Sequence, residues 1–347
     1  MVEAIVERFG SRASFSVAPT GFHDYSTRAQ LGLYQTLHVH RYPRLSAGVS
    51  DFVHPELRRR FGLIADKDIT GVLDASGFAY SDSFGVQRSR YEALFGRRWH
   101  RRGIPKVMLP QAYGPFSNKD VASWAREVLS QANVVFVRDP ASKRHLQELS
   151  LDTPAILAPD FTIGLNPLKA DVPESRSYAA IVPNTRLVTQ GLVTEQHYIN
   201  KLVAFGNAAR AHGLMPLIVL HEVSDKRLGT SVADILSAPT FTDDSPRVLK
   251  GAIGTASLLI ASRFHAVVGG LSQAVPTIAI GWSHKYGALM DDFGVPDWVT
   301  DLNADPEQTV NRVLADDDGL GRVVAAKESL TGRLNSMWDI AQEALNI

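Results

Sequence analysis

The chain has 347 residues, of which 45% are hydrophobic and 21% charged, a balance typical of a globular protein. Its 36 basic and 36 acidic residues give a formal net charge of +0, so no overall basic field favours nucleic acid as a partner. The absence of cysteine excludes disulfides, iron–sulfur clusters and thiol catalysis, and it is consistent with a cytoplasmic location. The length predicts two domains rather than one.

Two features of the sequence argue against insertion into a membrane. The first ten residues carry acidic side chains and lack the long apolar core of a signal peptide. The longest apolar stretch, Ser257–Leu271, is interrupted by Arg263 and His265, and it is too short to span a bilayer. The sequence leaves open a peripheral association with the inner surface of a membrane.

The first half of the chain alternates short apolar strands with helices. Asn118 is predicted to cap one helix, and Asp139 followed by Pro140 is predicted to begin the next, with the cap ahead of the N1 proline. The strands predicted in this half are Ile69–Leu73, Lys106–Leu109 and Val134–Val137.

A second series of strands and helices follows a segment rich in proline and charge. Tyr198, Leu202 and Phe205 lie at helical spacing in a helix that ends at Gly213, and the chain is again helical by period from about Ala325. The strands predicted in this half are Tyr178–Val182, Pro216–Leu220, Leu258–Ala261 and Thr277–Ile280.

Short apolar strands that alternate with helices are typical of parallel sheets covered on both faces. The sequence therefore predicts an α/β fold with two Rossmann-like domains facing a cleft. We assign residues 1–165 to the first domain, 166–177 to a linker and 178–325 to the second domain. Residues 326–347 are predicted to form a C-terminal helix that packs back on the first domain.

Four side chains follow predicted strands directly or lie in the first helical turn after one: Arg138, Arg263, His265 and Lys285. Ligands of α/β proteins bind at that edge of the sheet, and helix N-termini there favour anions. Because Arg138 belongs to the first domain and the others to the second, only a site in the cleft would bring all four together. This pattern predicts a small, highly charged anionic ligand.

Each of these residues also has a structural explanation. Ser262 is predicted to cap a helix, after which Arg263 offers a bidentate fork and His265 a donor or general acid/base. The alternative is a capped helix with an exposed arginine and a packed histidine. Arg138 could form an ion pair with Asp139 or with another acid at the domain surface, and Lys285 could be a solvated charge in a loop.

Other motifs carry less information. His221, Glu222 and Asp225 are too few and too close together for a clear set of metal ligands, so we predict caps and loop hydrogen bonds there and no metal. No glycine-rich dinucleotide loop, phosphate-binding loop or nucleophile elbow falls where a strand meets a helix. The sequence therefore argues against dehydrogenases, P-loop proteins and serine hydrolases.

Eight short segments, in this order and spacing between about residue 70 and residue 295, match a known family. The chain resembles the polysaccharide pyruvyl transferase family, whose members have a GT-B-like fold. The matching segments are Leu73–Phe78, Leu109–Phe116, Val137–Ser142, Ala158–Thr162, Val182–Asn184, Leu220–Glu222, Ser262–Ala266 and the loop around Lys285.

The resemblance implies transfer of a pyruvyl group from phosphoenolpyruvate to two hydroxyls of a sugar, with formation of a cyclic ketal and release of phosphate. The acceptor would be a cell-surface polysaccharide or its lipid-linked precursor, and phosphoenolpyruvate would be a co-substrate rather than a cofactor. His265 is the candidate acid/base, and Asp74 and Asp160 are weaker candidates for the acceptor side. The residues implied in donor binding are Arg138, Arg263, Phe264, His265 and Lys285.

The charges of the donor fit this assignment. Phosphoenolpyruvate carries a phosphate and a carboxylate, and Arg138, Arg263 and Lys285 supply three cations. Hydrogen bonds to charged groups contribute roughly 1.5–3 kcal/mol each, less than additively.

Two other functions stay open. One is a GT-B glycosyltransferase that uses a nucleotide sugar, and the other is a family member that binds glycan or anion without turnover. Family members usually begin with a strand and a glycine-rich loop, whereas this chain starts in what resembles the first helix. We therefore expect the N-terminal domain to lack its first strand, which keeps the non-catalytic alternative open.

Overall fold

A computed structural model describes residues 1–10, 12–18, 25–36, 51–172 and 177–347. The chain divides into two compact units, the first formed by Met1–Phe161 with Arg333–Ile347 and the second by Thr162–Gly332. Part of the predicted linker, residues 173–176, lies outside the described residues. Every strand pairing described in either unit is parallel, as the sequence predicted.

The first unit contains a three-stranded sheet of order β1-β2-β3 and a four-stranded sheet of order β4-β5-β6-β7. Its strands are β1 (Ser16–Val17), β2 (Tyr34–Thr36), β3 (Leu63–Ile64), β4 (Val72–Asp74), β5 (Lys106–Gln111), β6 (Val134–Val137) and β7 (Ala155–Leu157). Its helices are α1 (Val2–Phe9), α2 (Tyr25–Gln30), α3 (Pro55–Phe61), α4 (Gly85–Arg101), α5 (Lys119–Ser130) and α6 (Pro140–Glu148).

Two predicted helix starts in the first unit are confirmed. Asn118 accepts a hydrogen bond from the backbone N–H of Asp120 at 2.9 Å, which satisfies one of the free donors at the start of α5. Asp139 accepts from the backbone N–H of Ser142 at 2.7 Å, and Pro140 occupies the first turn of α6. Both caps fix helices that follow strands of the four-stranded sheet.

The C-terminal residues contribute to the core of the first unit. The ring of Trp338 meets Phe9 edge-on at 5.4 Å between centroids and Phe161 edge-on at 5.7 Å. Arg8 and Asp339 add a partly exposed ion pair at 3.1 Å beside these rings. Aromatic contacts of this kind contribute about 0.5–1.5 kcal/mol each beyond the area they bury.

The second unit is built on one six-stranded parallel sheet of order β10-β9-β8-β11-β12-β13. Its strands are β8 (Tyr178–Val182), β9 (Met215–Val219), β10 (Thr240–Phe241), β11 (Leu258–Ala261), β12 (Thr277–Ile280) and β13 (Val299–Thr300). Its helices are α7 (Arg186–Thr189), α8 (Glu195–Ala211), α9 (Lys226–Leu236), α10 (Pro246–Gly254), α11 (Phe264–Leu271), α12 (His284–Asp292) and α13 (Pro306–Leu314), and α14 (Gly319–Leu345) begins here.

The central strands of this sheet are apolar along their whole length because both faces are covered. All residues of β8, β11 and β12 are buried, and α8 contributes Tyr198 and Phe205, which are fully buried, to the same hydrophobic core. Four strands match their predicted bounds, namely β6, β8, β11 and β12. Such unbroken apolar runs are what buried parallel strands require.

Other predicted bounds differ from the structure. The strand predicted at Ile69–Leu73 is observed at Val72–Asp74, so Asp74 is its last residue rather than the first residue after it. The C-terminal helix begins at Gly319, earlier than the predicted Ala325. Across the described ranges, no helix is both long and apolar enough to cross a membrane.

Candidate functional site

The carboxyl edge of the six-stranded sheet carries four of the predicted site residues, Arg263, Phe264, His265 and Lys285. The chain fills one side of this sheet from β8 to β10 and then resumes at β11 on the other side of β8. Such a switch point is where open α/β sheets bind ligands, outside the carboxyl ends of the strands. Asn184 follows β8 and Arg263 follows β11, so these residues belong to the two loops that border the switch point.

Ser262 does not cap α11, contrary to the prediction. The helix begins at Phe264, and Arg263 occupies the N-cap position. The Ser262 hydroxyl instead pairs with the hydroxyl of buried Tyr198, which accepts from the backbone N–H of Asn184 at 3.0 Å. The predicted cap is wrong because a tyrosine from α8, distant in sequence, takes the serine hydroxyl.

The carbonyl oxygen of Ser262 joins three loops. It accepts hydrogen bonds from Asn184 Nδ2 at 2.7 Å, from Tyr286 Oη at 2.7 Å and from Trp282 Nε1 at 3.3 Å. These donors come from the segments that follow β8 and β12, while Ser262 itself follows β11. The segments that carry Arg263 and Lys285 are therefore held to one common atom.

Arg263 is buried and paired with carboxylates. Its Nε and Nη2 atoms contact the two carboxylate oxygens of Asp225 at 2.9 and 2.5 Å, and its Nη1 contacts Glu222 at 2.6 Å. The residue is only 6% exposed, so the structural alternative of an exposed arginine is wrong. Its guanidinium is rigidly oriented at the start of α11, and a ligand anion would have to share it with these acids.

His265 is exposed, whereas the residues on either side of it are buried. It is the second residue of α11, and its ring meets Phe264 edge-on at 5.8 Å. The alternative of a histidine packed into the core is therefore wrong. The imidazole stands in the first turn of a helix, where the backbone N–H groups favour an anion.

Lys285 lies in the first turn of α12 rather than in a loop, because the helix begins at His284. Three aromatic rings surround its ammonium group, with centroids at 4.9 Å for Trp282, 5.2 Å for Phe264 and 5.6 Å for Tyr286. Cation–π contacts contribute about 0.5–1 kcal/mol when exposed and about 2 kcal/mol when desolvated. These three residues, called the aromatic cage below, hold the ammonium in place.

The second unit therefore brings together four of the predicted site residues. Phe264 contacts both the ring of His265 and the ammonium of Lys285, and it directly follows Arg263 in the chain. Two cations and a histidine follow adjacent strands, β11 and β12. Such a cluster can bind a small ligand with more than one negative charge.

Arg138 belongs to the first unit, where it follows β6. The residue is 8% exposed and its guanidinium donates to Asp160 at 3.0 Å, while its neighbour Asp139 caps α6. The ion pair of Arg138 is thus formed with Asp160, the residue considered for the acceptor side. A buried carboxylate in this position fixes the orientation of the guanidinium.

Asp74 ends β4 in the same unit and accepts three hydrogen bonds. The donors are Tyr80 Oη at 2.5 Å, the backbone N–H of Ser76 at 3.0 Å and Gln111 Nε2 at 3.4 Å. Burial alone would raise the pKa of Asp74, but the charge of Lys106 and the bonds from Tyr80 and Ser76 outweigh it and lower the pKa. Asp74 is therefore a carboxylate at neutral pH, and a weak proton acceptor.

His221 contributes no positive charge to the second unit at neutral pH. Burial, together with the neighbouring Arg263 charge, lowers the pKa of His221 to about 4. Across the described residues, no group of three or more histidine, aspartate or glutamate side chains is placed to hold a metal ion. Glu222 and Asp225 are instead the partners of Arg263.

Sequence reasoning missed the residues that orient the cluster. Asn184, Trp282 and Tyr286 were not considered for the site, although each lies in or beside a segment that matches the family. Glu222 and Asp225 were considered as metal ligands or as groups that form caps and loop hydrogen bonds, and not as partners of an arginine. Their position after a strand end was a usable signal, since acids there can pair with the arginine that follows a neighbouring strand.

Solved structures with the same α/β fold include a complex with UDP, an epimerase and a glycosyltransferase. The Staphylococcus aureus MnaA–UDP co-structure matches with a TM-score of 0.59 at 9% identity, over 94% of this chain and 87% of that one. UDP-GlcNAc 2-epimerase from Neisseria meningitidis matches with a TM-score of 0.58 at 8% identity, over 96% of each chain. The calicheamicin glycosyltransferase CalG4 matches with a TM-score of 0.54 at 12% identity, over 99% of this chain and 94% of that one.

These likenesses define the class of protein, an α/β protein of GT-B-like fold with two Rossmann-like domains. Among curated proteins, none matches the sequence. The family model of the polysaccharide pyruvyl transferases matches residues 31–284, a range that contains Arg138, Arg263 and His265 and ends directly before Lys285. The chain belongs to the polysaccharide pyruvyl transferase family.

Proposed function

We propose that this protein transfers the pyruvyl group of phosphoenolpyruvate to two hydroxyls of a sugar and releases phosphate. The observation that carries the proposal is the cluster of Arg263, His265 and Lys285 at the ends of β11 and β12. Its two fixed cations suit a ligand with a phosphate and a carboxylate. The acceptor is a hydroxylated saccharide, in a polysaccharide or its lipid-linked precursor.

The chemistry needs one proton donor and no redox step. A proton adds to C3 of the enol while a sugar hydroxyl bonds to C2, which gives a phosphorylated ketal. The bond between C2 and the phosphate oxygen then breaks, and a second hydroxyl bonds to C2. The protons lost by the two hydroxyls balance the one gained by C3 and the one that leaves with phosphate.

His265 is proposed as the proton donor because it is the exposed titratable group of the cluster, on the first turn of α11. Lys285 and the Nη1 atom of Arg263 are proposed to bind the phosphate and the carboxylate, and Phe264 joins them through the aromatic cage. The family resemblance assigns Arg138 to the donor as well. Asp160 is proposed to orient Arg138 through their 3.0 Å ion pair rather than to contact the acceptor.

Asp74 remains the proposal for the acceptor side. Its lowered pKa makes it unsuited to take a proton fully from a sugar hydroxyl. As a carboxylate it can still accept a hydrogen bond from that hydroxyl and orient it. The bonds from Tyr80 and Ser76 hold the carboxylate in place for this role.

Phosphate release from phosphoenolpyruvate in the presence of a panel of saccharides tests the proposal. We expect release only with an acceptor present. Lys285→Ala should lower kcat/KM by roughly 10- to 100-fold, because it removes one charge-assisted contact. His265→Asn should lower kcat with little change in the stability of the fold, since the imidazole is exposed.

Arg312→Ala is the matched control, because Arg312 is an exposed cation on α13 of the same unit. Arg263→Ala is less informative, since it would also leave the buried carboxylate of Asp225 unpaired. Wild-type turnover in both Lys285→Ala and His265→Asn would overturn the site. Turnover of a nucleotide sugar without any response to phosphoenolpyruvate would identify a glycosyltransferase instead, and ligand binding without turnover a non-catalytic protein.

A further inference from the structure

The guanidinium of Arg263 is bound by two carboxylates that differ in burial. Asp225 takes the Nε and Nη2 side in a bidentate contact and is fully buried. Glu222 takes Nη1 at 2.6 Å, and its side chain is 46% exposed. One positive charge therefore faces two negative charges.

Asp225 is a fixed part of the fold. Its Oδ1 atom also accepts from the backbone N–H of Thr185 at 2.9 Å, which connects the segments after β8 and β9. Removing one member of a buried ion pair leaves the other charge buried without its partner, which lowers the free energy of unfolding by several kcal/mol. Arg263 therefore keeps Asp225 whatever ligand is bound.

Glu222 is held much less firmly. Apart from its ion pair with Arg263, Glu222 accepts a hydrogen bond from the hydroxyl of Ser224. The distance between donor and acceptor is 3.4 Å, at the long limit of a hydrogen bond. The next residue, Val223, is 91% exposed, so the chain beside Glu222 faces solvent. An exposed carboxylate recovers most of its lost pairing from water when it moves away.

We propose that Glu222 competes with the anionic ligand for Nη1 of Arg263 and so sets the affinity of the donor site. The inference rests on the proposed function, in which phosphoenolpyruvate is that ligand. While both Glu222 and Asp225 contact Arg263, their two negative charges exceed the single positive charge of the guanidinium. An incoming anion is then not attracted to this group. Once Glu222 turns outward, Arg263 and Asp225 are balanced and Nη1 is available.

The competition has a quantitative consequence. If the site binds only when Glu222 has released Nη1, the apparent dissociation constant is the intrinsic one divided by the released fraction. Removing the Glu222 charge raises that fraction to near one. The result is a gain of affinity, which partial unfolding cannot imitate.

The test is the dissociation constant of phosphoenolpyruvate, measured by titration calorimetry at fixed ionic strength, for wild type and Glu222→Gln. Glutamine keeps the size of the side chain and removes its charge. We expect binding at least about fivefold tighter, the lower end of usual coupling between sites. Glu222→Ala should bind as tightly or more tightly, because it removes the remaining hydrogen-bond acceptor too.

Glu195→Gln is the matched control, since Glu195 forms an ion pair with the exposed Arg227 in the same unit. It should change the affinity by no more than about twofold. Equal or weaker binding in Glu222→Gln, with wild type binding phosphoenolpyruvate, would overturn the competition and leave the proposed function intact. No binding to any of these proteins, with no phosphate release, would overturn both.

Discussion

The ammonium of Lys285 lies against the aromatic cage, and Trp282, like Tyr286, both contacts the ammonium and donates a hydrogen bond to the Ser262 carbonyl. Its ring centroid is 4.9 Å from the ammonium, and its Nε1–H donates to the Ser262 carbonyl at 3.3 Å. The same residue thus holds the cation and ties its segment to the one that carries Arg263. This makes Trp282 a positioning residue.

Trp282→Leu should raise the KM for phosphoenolpyruvate by about 5- to 30-fold, because a partly desolvated cation–π contact contributes about 1–2 kcal/mol. Trp282→Phe, which keeps a ring, should recover part of that loss. Steady-state kinetics with phosphoenolpyruvate as the varied substrate measures both effects. A larger fall in kcat than rise in KM would contradict a role in holding the donor.

Trp124→Leu is the control for the loss of a tryptophan. Trp124 lies in the first unit beneath two arginines, Arg90 and Arg97, each 5.9 Å from its ring centroid. Its loss should lower stability and leave the KM unchanged. If both tryptophan variants raised the KM equally, the effect of Trp282 would reflect general loosening of the fold.

At the scale of single residues, the sequence predicted a helix cap correctly where the hydrogen-bond partner is close in sequence. Asp139 caps α6 as predicted, because the donor that it accepts from lies three residues ahead. Ser262 failed as a cap because Tyr198, a residue of another helix, competes for its hydroxyl. The structural alternative for this segment was an exposed Arg263 and a buried His265. The structure shows the opposite, because Arg263 is buried in its contacts with Asp225 and His265 is exposed.

At the scale of elements, the approach of α10 to the segment that precedes β8 depends on a glycine. A Cβ atom on Gly251 would lie 1.9 Å from the carbonyl oxygen of Leu168, a backbone atom that cannot turn aside. Leu168 is itself held by a hydrogen bond from its N–H to the carbonyl of Arg247, on the same helix, at 2.9 Å. Helix and segment are therefore in backbone contact.

Gly251→Ala should lower the free energy of unfolding by about 1–3 kcal/mol or more, because it overpacks this contact. Urea-induced unfolding followed by circular dichroism measures the change. Gly321→Ala on α14 is the matched control, since a Cβ there would have no neighbour within 4 Å. That variant should leave stability unchanged or raise it by up to about 1 kcal/mol, and an equal loss in both would rule out the steric cause.

The elements that sequence predicted best are the buried ones. The strands β6, β8, β11 and β12 have the predicted bounds because an apolar run ends where the chain leaves the core. The sheet formed by β1, β2 and β3 was not predicted, because strands of two or three residues show no period. Their pairing depends on neighbours brought together by the fold.

At the scale of the whole molecule, the hydrogen bond from Tyr80 to Asp74 couples stability to pH. The pKa of Asp74 is lower in the folded protein than in the unfolded chain. At pH values between these two pKa values, the native state therefore binds fewer protons than the unfolded chain. Its contribution to stability is therefore present above the ordinary pKa of 3.8 and is lost as the pH falls through the folded value. Tyr80→Phe removes one cause of that lowering.

We expect Tyr80→Phe to lower the free energy of unfolding by about 1–3 kcal/mol at pH 7, since it deletes a hydrogen bond to a charged group. The difference from wild type should shrink at acid pH, where Asp74 is protonated in both proteins. Urea unfolding at several pH values measures this. A difference that is constant with pH would show that Asp74 is not the partner that matters, and Tyr25→Phe, at an exposed tyrosine of the same unit, is the control.

The sequence by itself determined the class of fold, the family and the identity of the charged residues at strand ends. These follow from periodicity and from short motifs, which are local properties of the chain. Only the tertiary structure decided that Arg263 is paired with Asp225 and Glu222, that the aromatic cage holds Lys285, and that one carbonyl of Ser262 ties their segments together. The physical reason is that these partners follow different strands, and a parallel sheet brings the carboxyl ends of such strands to one edge however far apart they lie in sequence.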